Sequence, residues 1–239
     1  MLLLWELLVR AGALDQRFFP PPTGIVGTFG DLLVSGALYA HVKASLLRLV
    51  AGFLAAAVPA VALGLVMGLS RPVRLLLMPA AAVIYPVPKI AIVPLIMLIF
   101  SIGETSKIVT VAITVFFLVL LNTTTGVLTI NPIYLDVARN FGASRLDVIR
   151  TVALPGALPL IFAGLKLGLG LAWTVVVGAE FLGSREGIGF LIWQSYQTFA
   201  IEALFVGLLV TSVLGWLSLV LLDELERRFL PWSQSVRSA

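Results

Sequence analysis

Residues 135–155 read LDVARNFGASRLDVIRTVALP. This is the longest run in the chain without an apolar core of membrane length. Just before it, Asn131 is placed to N-cap a helix, with Pro132 at the first helical position, where a missing N–H costs nothing. Ile133, Val137 and Phe141 fall four apart and form one narrow apolar stripe. Gly142 stands where a helix ends in a left-handed residue. Ser144 and Asp147 have the spacing of a capping box, with Asp in place of the usual Glu. Leu146, Ile149 and Ala153 make a second stripe, which Pro155 is expected to end. Each helix is about 10 residues, roughly 15 Å, half of what a bilayer needs. The stretch is therefore predicted to be a short helical hairpin projecting from a membrane domain.

The composition supports that setting. The 239 residues are 60% hydrophobic and 12% charged, with a mean hydropathy of +1.09. A soluble domain carries about 25% charged residues, so most of this surface must face something other than water. The net charge of +4 could point to nucleic acid, but the basic residues lie scattered at loop ends, which membrane orientation explains better. Cysteine is absent, His41 is the only histidine, and no cluster has metal-ligand spacing. No glycine-rich phosphate loop of the Walker type is present, so ATP hydrolysis by this chain is excluded, and no cofactor is expected.

The predicted architecture is an all-α polytopic membrane protein of about six transmembrane helices, the first short or truncated. Residues 1–43 form a short N-terminal apolar segment and an external loop. Residues 44–228 form the transmembrane domain, with the hairpin at 132–155, and residues 229–239 a cytoplasmic tail. The opening MLLLWELLVRAGAL is too short to span and lacks the basic start and cleavage site of a signal peptide. Spans are predicted over 44–69, 75–100, 108–128, 158–182 and 203–222. The second is interrupted by Pro79, Pro86, Pro88 and Pro94, which is tolerated at membrane depth where freed backbone lines a cavity or is buried. Gly64 with Gly68, and Gly164 with Gly168, have the small-residue spacing that lets helices approach closely in lipid. Residues 183–200 are expected as an external loop.

Positive charge sets the orientation. With the hairpin inside, the inner side holds Arg71, Arg74, Arg139, Arg145, Arg150, Arg227, Arg228 and Arg237, and the outer loops hold Arg17, Lys43, Lys107 and Arg185. The bias of eight to four favours this topology, with both termini cytoplasmic.

The hairpin resembles the cytoplasmic coupling motif of ABC-importer permeases: E-A-A, three residues, G, nine residues, I, one residue, L-P. The matching positions are Asp136, Val137, Ala138, Gly142, Val152, Leu154 and Pro155. Four match outright; Asp136, Val137 and Val152 are conservative departures. Further stretches, PPPTGIVGTF (20–29), SLLRLVAGF (45–53), PLIMLIFSIGETSK (94–107), FFLVLLNTTTGV (116–127) and AEFLGSREGIGFLI (179–192), are similar to the nitrate, sulfonate and taurine importers. The resemblance implies a permease of the bacterial inner membrane that works as a dimer, here a homodimer. Its implied partners are two ATP-binding cassette ATPase subunits and an extracytoplasmic substrate-binding protein, in a lipid bilayer and without nucleic acid. It also implies a longer first spanning helix, so the sequence is expected to start late.

Two charged residues are candidates for the translocation pathway. Lys89 lies inside the proline-broken span, where a charge is costly and should face a cavity or a partner. Its positive charge would draw an anionic substrate. The alternative is a buried pair or a snorkelling side chain. Glu180 lies near the outer end of a span and is expected to pair with Lys89 or Lys166, to contact a neighbouring permease, or to anchor at the interface. Lys166, Arg48, Trp173 and Trp193 are read as snorkelling or interfacial groups. The leading function is ATP-driven uptake of a small solute of the nitrate, sulfonate or taurine kind, by alternating access. The same permease role for a flavin or pyrimidine-type vitamin precursor is the alternative. A stand-alone secondary transporter would show a repeat and intramembrane carboxylates for ion coupling. A membrane enzyme would show clustered catalytic groups.

Overall fold

The computed structural model describes residues 1–231, and among them the chain is helical without a strand. In order these are α1 (Leu2–Arg10), α2 (Pro22–Val34), α3 (Ala37–Leu69), α4 (Arg71–Ile84), α5 (Val93–Phe100), α6 (Glu104–Leu128), α7 (Pro132–Asn140), α8 (Arg145–Val148), a π-helical turn (Ile149–Ala153), α9 (Leu154–Glu180), α10 (Ile188–Gln197) and α11 (Ile201–Phe229). The protein is an all-α polytopic membrane protein. Arg237 and most of the tail at 229–239 lie outside the described residues.

Among the described residues, four stretches are long and apolar enough to cross a bilayer: Ala37–Leu69, Glu104–Leu128, Arg145–Glu180 and Ile201–Phe229. The span expected over 75–100 is instead two helices. Of the 14 residues of α4 and the 8 of α5, neither set reaches across about 30 Å of hydrocarbon at 1.5 Å per residue. Pro86 and Pro88 in the link cannot donate to a helical ladder, and Ser101 ends α5 at φ 67°. Three other boundaries differ from expectation. The first full span starts at Ala37, the last runs through the charged DELERR to Phe229, and the loop at 183–200 contains α10. Ionic i,i+3 and i,i+4 pairs, Glu224 with Arg227 and Arg228, carry the last turns of α11.

The centre of the bundle is the seam between α3, α6 and α9. In lipid there is little hydrophobic drive between helices, so association depends on close packing of small residues. A β-carbon on Gly64 would sit 2.6 Å from Cβ of Thr123, and one on Gly68 would sit 2.3 Å from Cβ of Val127. Both glycines are thus required by the approach of α6. Around the seam, Ala56, Ala60, Val111, Val115, Val119, Ala172 and Val176 are buried in one cluster. Thr110, Thr114 and Thr124 return their hydroxyl protons to the carbonyl one turn back, so no polar group is stranded there by these three residues. Trp173, expected at the interface, is 5% exposed in this core, and its Nε1–H donates to Ser218 Oγ at 3.3 Å. By contrast, α11 has only 11% of its most apolar window buried.

The N-terminal stretch packs at one end of α11. Glu6 accepts the Thr23 amide at 3.1 Å and its hydroxyl at 2.9 Å, satisfying a free donor at the start of α2. Thr28 Oγ1 donates to Glu202 at 2.7 Å, tying α2 to α11, and Trp5 packs 5.6 Å from Phe205.

Candidate functional site

The hairpin is built from its caps inward. Asn131 Oδ1 accepts the Ile133 amide at 3.1 Å, with Pro132 in the first turn. At the other end of α7, Gly142 adopts φ 75°. The Gly142 amide donates to the Arg139 carbonyl and the Ala143 amide to the Ala138 carbonyl, both at 3.0 Å. These two bonds make a Schellman motif, which only a left-handed residue at Gly142 allows. Ser144 then opens α8. Its hydroxyl accepts the Asp147 amide at 3.2 Å, and Asp147 accepts the Ser144 amide at 3.0 Å. The capping box is complete, with Asp doing what Glu usually does.

The second arm differs from expectation. Pro155 does not end it: α8, the π turn and α9 form one continuous rod from Arg145 to Glu180. The cause is Pro155 itself. A proline inside a helix has no N–H and its ring collides with the carbonyl four residues earlier, here Thr151. Widening the turn moves that carbonyl aside, and the Leu154 amide bonds to Ile149, five residues back. The rod is anchored where Ala153, Ala157 and Ile161 pack with Leu65 of α3 and Val127 of α6. The hairpin's second arm is therefore continuous with a helix packed in the α3–α6–α9 seam.

The hairpin presents apolar side chains outward among exposed charged ones, Arg139, Arg145 and Arg150 included. No residue of α7 is buried, and Phe141 is 89% exposed, with Tyr134, Val137 and Leu146 also exposed. Asp136 is exposed and pairs with Arg139 at 3.6 Å. Ala138, Val152, Leu154 and Pro155 are half-buried and hold the hairpin's inner side. A β-carbon on Gly142 would meet nothing within 4 Å in this chain, so the glycine is needed for its backbone angle and faces open space. A groove of about 580 Å³ separates the hairpin from the α3–α4 junction and is lined by Arg71, Arg139 and Arg145.

The pathway candidates lie apart. The Lys89 ammonium donates to the carbonyls of Ile84, Tyr85 and Val87 at 2.9, 2.8 and 2.6 Å and sits 5.8 Å from the Phe117 ring centroid. It thus caps the free carbonyls at the C-terminal end of α4, where a cation is favoured. Glu180 pairs with neither Lys89 nor Lys166. It is completely buried and accepts from Arg48 Nη1 at 2.6 Å, from Ser45 Oγ at 2.8 Å and from the Gly189 amide at 2.8 Å. Arg48, expected to snorkel, is 3% exposed and also grips Glu104 with two bonds of 2.5 and 2.6 Å. This cluster ties α3, α6, α9 and the start of α10 together at the end of the bundle away from the hairpin. Its sequence signal was available: ionisable residues inside apolar runs usually have named partners. Lys166 instead pairs with Asp223 and Glu226 of α11.

A family model described as the binding-protein-dependent transport system inner membrane component matches residues 60–231. The chain belongs to this family. This permease is 33% identical over 242 residues to the taurine transport system permease protein TauC of Escherichia coli (strain K12), covering 99% of this chain and 88% of that one. It is 34% identical over 232 residues to the putative aliphatic sulfonates transport permease protein SsuC of Bacillus subtilis (strain 168), covering 97% and 84%. Its fold is similar to a chain in the structure titled "Inward facing conformations of the MetNI methionine ABC transporter: CY5 native crystal form". The TM-score is 0.72 at 18% identity, with 82% of this chain and 97% of that chain covered. The permease is accordingly a transport subunit, and its several apolar helices place it in the membrane as a multi-pass protein.

Proposed function

We propose that this permease is the membrane-spanning half of an ATP-driven importer for a small sulfonate-like anion, working as a homodimer with separate ATPase subunits and an extracytoplasmic binding protein. The observation that carries the reading is the rigid hairpin. Capped at every turn, it exposes Tyr134, Val137 and Phe141 and continues without a break into α9. An apolar tip on a stiff lever fits a partner that moves: closure of the ATPase pair pushes the tip, and α9 carries the push into the seam. The membrane domain then alternates between inward and outward access. In this reading Asp136, Val137, Ala138, Gly142, Leu154 and Pro155 form the coupling element, Lys89 borders the pathway at the break in the second apolar segment, and Glu180 holds the outer wall. The hairpin and both termini face the cytoplasm. The names of the relatives support a sulfonate or taurine-like cargo.

The test is reconstitution. The permease is co-expressed with an ATP-binding cassette ATPase subunit from the same organism, purified and placed in vesicles with a taurine-binding protein. Taurine uptake that requires ATP and all three components is expected. Uptake without a nucleotide-hydrolysing companion rules the reading out.

A further inference from the structure

The groove of about 580 Å³ between the hairpin and the α3–α4 junction has Arg71, Arg139 and Arg145 on its walls and, among the described residues, no acid. Along the junction (64–84) and the hairpin (132–155) stand Arg71, Arg74, Arg139, Arg145 and Arg150 against Asp136 and Asp147, five positive to two negative. Both acids are already engaged. Asp136 lies 3.6 Å from Arg139, and Asp147 closes the capping box with Ser144. Arg74 donates to the Met67 and Gly68 carbonyls. The guanidinium groups of Arg71 and Arg145 make no hydrogen bond or ion pair among the described residues. The charged end of α11 leaves the excess intact, because Lys166, Arg227 and Arg228 are matched there by Asp223, Glu224 and Glu226.

The groove also has an apolar wall, from Val66, Leu69, Val148 and Ile149. Leu69 ends the candidate span Ala37–Leu69 and Arg145 begins the span Arg145–Glu180, and both residues line the groove. It therefore sits where two membrane-crossing helices meet the polar edge of the bilayer. Membrane orientation asks for positive charge anywhere on this side, whereas here three arginines converge on one groove beside apolar surface. We propose that this groove binds the headgroup of an anionic phospholipid, with Arg71 and Arg145 holding its phosphate and Val66 and Leu69 taking the start of an acyl chain. A guanidinium meets a phosphate through two parallel bonds, and basic pockets beside membrane helices suit such headgroups. A free phosphate would use the arginines alone and leave the apolar wall wet. The assignment depends neither on the cargo nor on ATP coupling, so its failure is distinct from theirs.

The experiment titrates the full chain in dodecyl maltoside with dioleoyl phosphatidylglycerol, using dioleoyl phosphatidylcholine as the zwitterionic comparator, and counts bound lipid by native mass spectrometry. Phosphatidylglycerol is expected to bind at least about tenfold more tightly. Arg71→Gln combined with Arg145→Gln should weaken that binding by at least about tenfold, since each arginine near an anionic headgroup contributes about fivefold. Both side chains are exposed, so the fold should persist. Removing two charges elsewhere, by Arg17→Gln with Arg228→Gln, should leave the affinity within about twofold of native. Excess inorganic phosphate should not displace the lipid. Equal binding of the two lipids, native affinity in the groove pair, or an equal loss in the remote pair overturns the site. Displacement by phosphate assigns the groove to a free anion and overturns the lipid. Adding the ATPase subunits, the one arm that relies on the proposed coupling, should leave bound phosphatidylglycerol in place; its release assigns the groove to the ATPase surface and overturns the lipid as well.

Discussion

At the scale of single residues, the hairpin turns on Gly142. Its φ of 75° is left-handed, and an L side chain there is strained by about 1–2 kcal/mol. With open space around it in this chain, any further penalty must come from a docked partner. Gly142→Asp should therefore abolish uptake in the reconstituted importer while ATP hydrolysis continues uncoupled. Gly142→Asn, which visits the left-handed region more readily, should keep part of the coupling. Uptake and hydrolysis measured side by side decide it; native uptake by the Asp variant removes Gly142 from the coupling surface. This turn was legible in the sequence because glycine, the cap at Ser144 and the box residue Asp147 all lie within the short stretch 142–147. The partner of Glu180 was not legible. Arg48 lies 132 positions away, and long-range ion pairing depends on how α3 and α9 cross, which no local pattern records.

At the scale of elements, the second arm shows why a proline can mislead. Read locally, Pro155 ends a helix, because an interior proline costs about 3 kcal/mol. In the folded chain the π turn over Ile149–Ala153 absorbs the collision, and the rod continues to Glu180. The split of the second apolar segment into α4 and α5 is the opposite case, where the prolines do break the helix. The difference is the anchor: Ala153 and Ala157 are fully buried against α3 and α6, so tertiary packing holds the widened turn in line. Replacing Pro155 with Ala should let the turn close to regular α geometry. Because each residue advances a helix by roughly 100°, losing the extra residue would rotate α8 by about that angle relative to α9. Thermal stability in detergent should hold or rise, while the ratio of solute imported to ATP hydrolysed falls. An unchanged ratio would show that the π turn does not set the angle at which the hairpin meets its partner.

At the scale of the whole molecule, charge and packing assign each end of the bundle a different task. The end carrying the hairpin is rich in exposed arginine and apolar side chains. The opposite end holds the Arg48–Glu180 pair, where removing one partner of a buried pair is costly. The excess of arginine near the hairpin predicts that it faces the cytoplasm. The chain has no cysteine, so single-cysteine probes report without background. Asn140→Cys, exposed beside Gly142, and Gln197→Cys, exposed at the end of α10, mark the two ends. In intact cells an impermeant maleimide should label Gln197→Cys and leave Asn140→Cys untouched until the membrane is permeabilised. The reverse pattern would put the hairpin beyond reach of any intracellular ATPase, and the lever reading would fail with it. Both sites lie outside the α3–α6–α9 seam, so neither substitution should disturb the fold that the test depends on.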